Sequence, residues 1–270
     1  MSLSFCSFAS GSSGNSYLVF TERTALIIDA GIAYKNIKQG LDFAGISPED
    51  ISGILITHEH SDHIKGINAL NRKAVNAYVY GAQGTIDAMM KHSTTSVLEE
   101  DTEIVSSGEI FTIGDIEVIP FEVSHDAAEP LGYAFSSGGK SLIIMTDTGF
   151  VTDSARAALK ESDIIIIEAN HEENMLMFGR YPFELKKRIL SEHGHLSNLA
   201  AAVCLSEVLE DRKKKSPPLV RLAHLSKENN TPDLAFLTIK NALFEEGYIE
   251  GVHYKLGVLS ADEISEIIRV

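Results

Sequence analysis

Short aliphatic strands that end at a histidine or a carboxylate recur along this chain, and they constrain its fold more than any other feature. Residues 53–57 precede His58, and the apolar run 163–168 ends at Glu168. An unbroken apolar run of this length is typical of a strand buried on both faces, as in a parallel sheet covered by helices. Stretches with helical spacing alternate with these strands. The sequence therefore predicts a mixed α/β fold.

The same patterns predict the individual elements. The segment 47–50, SPED, provides an N-cap serine, a proline at the first helical position and acidic residues after it, which indicates a single helical turn. The predicted strands are residues 16–20, 25–29, 53–57, 108–124 with a turn at 113–115, 133–135, 142–145, 163–168 and 220–223. The predicted helices are residues 182–192, 197–209 and 232–246. No repeat or linker divides the chain, so we expect one domain over residues 1–270.

The composition sets limits on the class of protein. The chain has 270 residues, of which 44% are hydrophobic and 23% charged, so it can bury one substantial core and is neither disordered nor fibrous. Lys and Arg total 23 against 38 Asp and Glu, which gives a formal charge of -15. A charge of this sign opposes a surface that coats a polyanion. Any nucleic-acid site must therefore be local.

The sequence also predicts a location inside the cell. Residues 1–20 lack the basic flank and the continuous apolar stretch of a secretory signal peptide. The longest aliphatic runs have about four residues, against the roughly 20 that a membrane-spanning helix needs. Cys6 and Cys204 are too few for a disulfide framework, so we expect both to be buried apolar residues in a reducing compartment. We therefore expect a cytoplasmic protein without a membrane partner.

The segment 57–63, THEHSDH, places three imidazoles and a carboxylate directly after a predicted strand. Alternate residues of an extended chain project to one side, so His58 and His60 can share one ion. A turn into a helix near Asp62 lets Asp62 and His63 face a second ion. This density of histidine and carboxylate is typical of metal sites, and a solvated histidine loop is the alternative.

Two coordination spheres need ligands from elsewhere in the chain, and three strand ends supply candidates. His125, Asp147 and His224 each lie at the end of a predicted strand. A single histidine or aspartate in such a place is more often a cap or a hydrogen-bonding partner. Its repetition at three strand ends, in a chain that also carries HxHxDH, favours metal ligation.

These features resemble the metallo-β-lactamase superfamily over nearly the whole chain. That superfamily carries HxHxDH after an early strand and supplies a His, an Asp and a His further along. The resemblance implies a four-layer αββα sandwich, an α/β (α+β) fold. More narrowly, five segments resemble the YycJ/WalJ-type branch, which is associated with 5′ to 3′ exonuclease activity on DNA. They are ASGSSGNS at 9–16, TDTG at 146–149, EANH at 168–171, GHLSN at 194–198 and AHLS at 223–226.

The resemblance implies two sets of three metal ligands and one bridging carboxylate. The residues are His58, His60 and His125 for one ion, Asp62, His63 and His224 for the other, and Asp147 between them. The implied cofactor is a pair of divalent ions. Histidine-rich sites with carboxylates suit Zn, Mn and Fe alike, so the sequence leaves the metal open.

The implied chemistry is hydrolysis of a phosphodiester. Two divalent ions about 4 Å apart can hold a bridging hydroxide at neutral pH and stabilise the attacking and leaving oxygens. We count Asp62 with the catalytic residues. The leaving alkoxide needs a proton, which a histidine oriented by a carboxylate can give. Similar positions in phosphodiesterases of the superfamily, such as tRNA-processing nucleases, indicate His195 as general acid and Glu168 as its partner; a purely structural hydrogen bond is the alternative.

The segment 9–16 is a candidate for substrate binding. Ser12, Ser13 and Asn15 lie in a glycine-rich stretch that can present backbone N–H groups and hydroxyls to a phosphate. No GK[ST] follows and no helix begins there, so it is not a Walker loop. A hairpin turn is the equal alternative.

A second polar segment follows His224. Ser226 and Lys227 lie where related phosphodiesterases place phosphate-binding groups, and we expect substrate contact. A loop that caps the helix starting at Pro232 explains them equally. His171, three residues beyond Glu168, has no predicted role.

The sequence therefore predicts a dinuclear-metal-dependent phosphodiesterase, foremost a 5′ to 3′ DNA exonuclease, with RNA as an open second substrate. A charge of -15 requires local compensation by basic residues. The candidates are Arg180, Lys186, Lys187, Arg188, Lys227 and residues 212–215. A small-molecule hydrolase of a cyclic phosphodiester, lactone or thioester fits the acidic surface without a basic groove. A catalytically silent scaffold is a third interpretation, although no expected ligand is missing.

Overall fold

The computed structural model describes residues 2–91, 95–212 and 216–270. The strands are β1 (Ser4–Ala9), β2 (Ser16–Phe20), β3 (Ala25–Ile28), β4 (Ile51–Leu55), β5 (Tyr78–Gly81), β6 (Thr102–Ile104), β7 (Phe111–Ile113), β8 (Ile116–Glu122), β9 (Leu131–Ser137), β10 (Lys140–Met145), β11 (Ile164–Glu168), β12 (Leu219–Ala223), β13 (Lys255–Val258) and β14 (Ile268–Arg269). The helices are α1 (Tyr34–Ala44), α2 (Ser61–Ile64), α3 (Ile67–Asn71), α4 (Gln83–Lys91), α5 (Asp153–Glu161), α6 (Glu173–Phe178), α7 (Phe183–Ile189), α8 (Asn198–Asp211) and α9 (Pro232–Glu245). The predicted single turn is a 3-10 helix at Pro48–Asp50.

The chain folds as two compact units. The first comprises Met1–Phe121, Ala127–Lys140 and Ser260–Val270. The second comprises Glu122–Asp126 and Ser141–Leu259. Each unit contains buried strands and helices of its own. The prediction of one domain over residues 1–270 stays a prediction.

The first unit contains a seven-stranded sheet with the order β14-β1-β2-β3-β4-β5-β6. β1, β2 and β3 are antiparallel neighbours, whereas β3, β4, β5 and β6 run parallel. Parallel neighbours need crossover connections, and the chain from β3 to β6 supplies them with α1 to α4. The carboxyl ends of β3 and β4 consequently meet, with Ile28 in register with Leu55. This edge of the sheet carries Asp29 beside the residues that follow β4.

Helix α1, which the sequence patterns did not predict, buries one face in the first unit. Ile37 and Leu41 are buried one turn apart on that face. Gly40 lies beside the ring of Phe8, where an added Cβ atom would come within 2.2 Å of a ring carbon. Only glycine permits this approach. The helix ends at Gly45, whose φ of 73° is the left-handed conformation typical of a helix C-terminus.

Strands β7 and β8 form the predicted hairpin in the first unit, with Ile113 paired to Ile116. The turn between them contains Gly114 at a φ of 59°, which confirms the turn predicted at residues 113–115. Asp115 fixes this turn, because its Oδ1 accepts hydrogen bonds from Thr21 Oγ1 at 2.8 Å and Thr24 Oγ1 at 2.6 Å. The β7–β8 turn is thereby tied to the turn between β2 and β3.

The second unit contains four parallel strands in the order β13-β12-β11-β10. Every residue of β11 is buried, which confirms the strand predicted from its run of isoleucines. Because neighbouring strands are parallel, their carboxyl ends lie at the same edge. Asp147, Glu168 and His224 therefore come together from three different strands.

Predicted boundaries fail where backbone contacts override the side-chain pattern. Helix α7 ends at Ile189, not at residue 192. The carbonyl of Ile189 accepts the His195 N–H at 3.0 Å, and a Cβ atom at Gly194 would lie 2.1 Å from that carbonyl oxygen. Gly194 thus allows the chain to fold back across the helix end. The strand predicted at residues 53–57 corresponds to β4, which begins and ends two residues earlier in the chain.

Two further features follow the sequence analysis. Within residues 2–91, 95–212 and 216–270, no helix is both long and apolar enough to cross a bilayer. Cys6 and Cys204 are both buried and both free thiols, as expected for cysteines that fill apolar space. The unpredicted strand β1 is buried along its whole length although it contains two serines, Ser4 and Ser7.

Candidate metal centre

The HxHxDH segment lies in the first unit, where the chain turns from β4 into α2. Helix α2 begins at Ser61, so the segment leaves the extended conformation at His60. The ring centroids of His58 and His60 are 4.6 Å apart, and those of His58 and His63 are 4.0 Å apart. Asp62 Oδ2 lies 3.6 Å from His63 Nε2. The segment therefore gathers three imidazoles and one carboxylate in one place.

A buried carboxylate holds one of these imidazoles. Asp29 Oδ2 lies 2.7 Å from His63 Nδ1, and Asp29 also accepts the Thr57 N–H at 2.9 Å and the Thr57 hydroxyl. Burial raises the pKa of Asp29, while the charge and the hydrogen bond of His63 act to lower it. Asp29 thus accepts the Nδ1 proton of His63 and fixes the orientation of its ring.

The contacts of the first unit favour one tautomer at two histidines. His58 Nδ1 lies 3.0 Å from Thr57 Oγ1, as His63 Nδ1 lies beside Asp29. His63 Nε2 lies 3.1 Å from Asn15 Nδ2, which can only donate. A proton on Nδ1 satisfies these contacts and leaves Nε2 as the unprotonated nitrogen of both rings, which at His63 accepts from Asn15.

Segment 9–16 forms the turn between β1 and β2, so the hairpin alternative describes its local structure. Ser12 and Ser13 are exposed at its tip. Asn15 is fully buried, where its Oδ1 accepts the Gly11 N–H at 3.0 Å and its backbone N–H donates to Asp62 O at 2.8 Å. Asn15 thus supports the HxHxDH segment. The predicted substrate contacts of Ser12, Ser13 and Asn15 stay predictions.

The second unit contains a second cluster, formed by Asp147, Glu168, His195 and His224. Their candidate ligand atoms all lie within 4.8 Å of one another. Asp147 Oδ1 is 3.3 Å from His224 Nδ1 and 3.8 Å from His195 Nδ1. The sequence analysis predicted each of these residues, and the structure brings them together at the carboxyl ends of β10, β11 and β12.

Glu168 is the centre of this cluster and is fully buried. Its Oε1 lies 2.8 Å from His195 Nδ1 and 2.7 Å from His224 Nδ1. Its Oε2 accepts the N–H groups of Thr148 at 3.0 Å and Leu196 at 3.2 Å. Burial alone would raise the pKa of Glu168, but His195 and His224 outweigh it and lower the pKa. Four contacts therefore converge on this carboxylate, two of them with imidazole nitrogens.

His125 is the remaining predicted metal ligand in the second unit. Its Nδ1 lies 3.2 Å from Gly194 O, and its Nε2 lies 3.9 Å from Asp147 Oδ1. Its ring centroid is 5.0 Å from that of His195. Burial lowers the pKa of His125, which favours the neutral imidazole that metals bind. The Nδ1 contact again leaves Nε2 as the ligand atom.

Three residues of these clusters have an unusual backbone conformation. Among the residues that the structure describes, the non-glycine residues with positive φ are Asp29, Asp147 and His224, at 60°, 56° and 55°. Such conformations are uncommon outside glycine and concentrate at functional sites. Asp29 and His224 directly follow β3 and β12, and Asp147 lies two residues beyond the end of β10. The left-handed backbone conformation at these three residues is energetically unfavourable, and it sets the direction in which each side chain points.

The donor chemistry of both clusters fits divalent metal ions. His58, His63, His125 and His224 each have Nδ1 within 3.2 Å of an oxygen acceptor, which is the arrangement that orients metal-ligating imidazoles through Nε2. Imidazole with carboxylate suits Zn, Mn and Fe. The predicted requirement for divalent metal is thereby supported.

The polar residues that follow His224 have structural roles. Ser226 Oγ accepts the Asn229 N–H at 3.2 Å, and Asn230 Nδ2 donates to Ala169 O at 2.9 Å. Thr231, and not Ser226 or Lys227, is the N-cap of α9. Lys227 is exposed. The predicted substrate contacts of Ser226 and Lys227 stay predictions.

Several basic residues proposed as compensating charge are already engaged. Lys186 Nζ donates to the carbonyls of Met177 and Gly179, both at 2.8 Å, and Arg188 pairs with Asp126. Arg212 donates to Ser162 O at 2.6 Å. Arg180 and Lys187 are exposed. Residues 213–215 lie outside the described residues.

Comparison with known proteins places these clusters in a family. Residues 24–215, more than half of the chain, match the beta-lactamase superfamily domain. The chain belongs to this superfamily. Exodeoxyribonuclease YycJ of Bacillus anthracis is 41% identical over 256 residues, which are 95% of this chain and 95% of that protein. Exodeoxyribonuclease WalJ of Streptococcus pneumoniae is 40% identical over 263 residues, 97% of this chain and 96% of that protein.

Solved structures of the superfamily share the fold. The metallo-β-lactamase fold protein YhfI from Bacillus subtilis has a TM-score of 0.71 and 15% identity, covering 100% of this chain and 99% of that one. This likeness confirms the predicted fold class, and the two relatives confirm the resemblance to the YycJ/WalJ-type branch of the superfamily.

Two contributors to the clusters were missed in the sequence. Asp29 was included in a predicted strand, but nothing linked it to His63, which lies 34 positions away. Asn15 was assigned to substrate, whereas the structure places it against His63. The rule that found Asp147 and His224, a polar residue at the end of a buried strand, also describes Asp29.

Proposed function

We propose that this chain is a metal-dependent exodeoxyribonuclease that degrades DNA from the 5′ end. The observation that carries the proposal is the contact of 2.8 Å between Glu168 Oε1 and His195 Nδ1, within the cluster that both residues form with Asp147 and His224. It supplies a proton donor that metal ligation does not require. Two relatives at 40% and 41% identity are named exodeoxyribonucleases, which supports DNA as the substrate.

We propose that seven residues bind two divalent ions, with Zn, Mn and Fe as the candidates. The assignment is His58, His60 and His125 for the first, Asp62, His63 and His224 for the second, and Asp147 as the bridge. When bound, such ions lower the pKa of water and stabilise the oxygens that attack and leave phosphorus. The Nδ1 contacts described above support this assignment, because they leave Nε2 of four histidines as ligand atoms.

The chain's own residues would supply the proton for the leaving oxygen. Glu168 Oε1 lies 2.8 Å from His195 Nδ1 and, as the acceptor of Nδ1–H, orients the imidazole. His195 is partly exposed, and its Nε2 can then donate its proton to the oxygen of the leaving group. Breakage of the phosphorus–oxygen bond leaves that oxygen neutral. His195 regains a proton from solvent.

The proposal is tested with purified protein loaded with Zn or Mn. Single-stranded and double-stranded DNA with a 5′-phosphate would be followed by product sizing, beside bis(p-nitrophenyl) phosphate. We expect stepwise release of nucleotides from the 5′ end. Products released from the 3′ end, or internal cuts, would contradict the direction. Cleavage of the small diester alone would favour the small-molecule hydrolase, to which the charge of -15 is better suited.

A further inference from the structure

An arginine in the last turn of α7 is held beside the candidate metal centre of the second unit. Arg188 Nη2 donates to Asp126 Oδ1 at 3.0 Å, and Arg188 Nε donates to Asp126 Oδ2. Asp126 Oδ1 also lies 3.4 Å from His125 Nε2, the proposed ligand atom of that histidine. The guanidinium of Arg188 and the ligand atom of His125 are therefore separated by a single carboxylate oxygen.

The backbone of Arg188 is fixed next to His195. A Cβ atom at Gly194 would lie 2.4 Å from Arg188 O, and the His195 N–H donates to Ile189 O at 3.0 Å. The end of α7 thus packs directly against the segment that carries His195. Arg188 is consequently held at its backbone beside the candidate general acid and at its guanidinium beside a proposed metal ligand.

The two histidines that Arg188 approaches lie next to each other. The ring centroids of His125 and His195 are 5.0 Å apart. A general acid must lie within hydrogen-bond reach of the oxygen that it protonates, so the phosphate that undergoes cleavage is bound at His195. A phosphate at these two rings has the guanidinium of Arg188 as a neighbour.

The chemistry of a guanidinium suits this phosphate. The group is planar, stays charged, and presents its N–H donors in a fork that matches phosphate oxygens. The side chain of Arg188 is 53% exposed, so a ligand can reach it from solvent while Asp126 sets its orientation. A donor that is oriented before binding loses little conformational entropy when the ligand arrives.

Arg188 also bears on the unfavourable charge of the chain. The formal charge of -15 repels a polyanion at long range, so attraction must come from cations placed at the site itself. Lys186 is directed at the carbonyls of Met177 and Gly179, whereas Arg188 is directed at the carboxylate beside His125. Asp126 offsets part of the charge of Arg188, so its contribution depends on geometry as well as on attraction.

We propose that Arg188 binds a non-bridging oxygen of the phosphate that undergoes cleavage, and that Asp126 positions it. Arg188 is then a substrate-binding residue, and Asp126 is a positioning residue that acts through it. The inference rests on the proposed function and adds a contact by which the same site holds its substrate. It applies to a small phosphodiester as well as to DNA, because both contain the same reacting group.

The test compares Arg188→Ala with Arg156→Ala, which removes an arginine of α5 that pairs with Glu207 in the same unit. Substrates for the metal-loaded proteins are a 5′-phosphorylated single strand and bis(p-nitrophenyl) phosphate. In Arg188→Ala, KM for both should rise about tenfold to a hundredfold, as expected for loss of a hydrogen bond to a charged group. The value of kcat should stay within about threefold, because a contact made equally with substrate and transition state changes KM alone. Arg156→Ala should match the wild type.

Binding without turnover provides a second readout. Affinity for a hydrolysis-resistant phosphorothioate strand is measured by fluorescence anisotropy at several salt concentrations. Arg188→Ala should reduce the slope of log binding constant against log salt by about 0.7, the share of one phosphate contact on a single strand. Arg188→Lys keeps the charge but not the planar fork, so it should keep the wild-type slope and give an intermediate KM.

Asp126→Asn tests the positioning role. In the wild-type background it should raise KM by about threefold to tenfold. In the Arg188→Ala background it should have no further effect, because the residue through which it acts is absent. A further loss in that double variant, or loss of metal in Asp126→Asn, would show that Asp126 acts on the metal centre directly and would overturn its positioning role.

Three results would overturn the role of Arg188. They are an unchanged KM and affinity in Arg188→Ala, an equal change in Arg156→Ala, and loss of metal in Arg188→Ala. Failure of the nuclease proposal would look different. The wild type would then cleave bis(p-nitrophenyl) phosphate but not DNA, and KM for the small diester would still report on Arg188.

Discussion

Asp29 and His63, both fully buried in the first unit, are joined by a contact of 2.7 Å between Oδ2 and Nδ1. Glu168 and His224 have the same relation in the second unit, also at 2.7 Å. In both cases a buried carboxylate holds the Nδ1 side of a proposed metal ligand. Such partners fix the tautomer and raise the basicity of the ligand. The carboxylates are therefore expected to control metal affinity without binding the metal.

The first prediction concerns Asp29. Asp29→Asn removes the charge that orients His63 while it preserves size, so metal affinity should fall by about tenfold to a hundredfold. Metal content after dialysis and competition with a chromophoric chelator would measure it. Asp42→Asn, at an exposed pair with Lys38, is the matched control and should keep wild-type affinity. Equal metal affinity in Asp29→Asn would show that the Asp29 contact has no influence on ligation.

A second prediction concerns the stability of the first unit as a function of pH. Burial would raise the pKa of Asp115, but hydrogen bonds from Thr24 and Thr21 outweigh it and lower the pKa. A lowered pKa contributes stability that is present above the unfolded pKa of about 3.9 and is lost as pH falls through the folded value. Asp115→Asn should lower the free energy of unfolding by about 0.5–1 kcal/mol at pH 7, since Asp115 is partly solvated.

Urea unfolding of the wild type and Asp115→Asn at pH 7 and near pH 3 would measure this. The difference between the two proteins should shrink at the lower pH. A difference that is the same at both values would mean that Thr21 and Thr24 do not stabilise the charged form of Asp115.

A third prediction concerns the two thiols. Burial raises the pKa of Cys6 and of Cys204 to about 11. At pH 8 only about one thiol in a thousand is then ionised, and the thiolate is the reactive form. Native protein should resist 5,5′-dithiobis(2-nitrobenzoate), while protein in urea should release the colour of two thiols. Rapid labelling of the native protein would contradict the burial of these side chains.

The features that could be predicted from the sequence are those that depend on residues close together in the chain. The run of isoleucines in β11 identified a buried strand because a strand covered on both faces needs no polar alternation. HxHxDH identified candidate ligands because its spacing is short. The pairing of Glu168 with His195 was also predicted, and the two side chains are in contact at 2.8 Å.

The remainder depends on contacts between residues far apart in the chain. Glu168 also holds His224, a contact that needs the parallel register of β11 and β12 and is invisible in either strand alone. The end of α7 depends on how closely the backbone can approach at Gly194. Strand β1 contains serine at positions 4 and 7, which face opposite sides of a strand, so its complete burial follows only from its place between β14 and β2.

His195→Ala in the metal-loaded protein tests the central claim most directly. Turnover of 5′-phosphorylated DNA should fall by about a hundredfold to ten-thousandfold, because the leaving oxygen loses its proton donor. Metal content should stay at the wild-type level, and His253→Ala, at an exposed histidine, should leave turnover unchanged. Unchanged turnover in His195→Ala would contradict the role of His195 as general acid, and loss of metal together with turnover would assign it to the metal site instead.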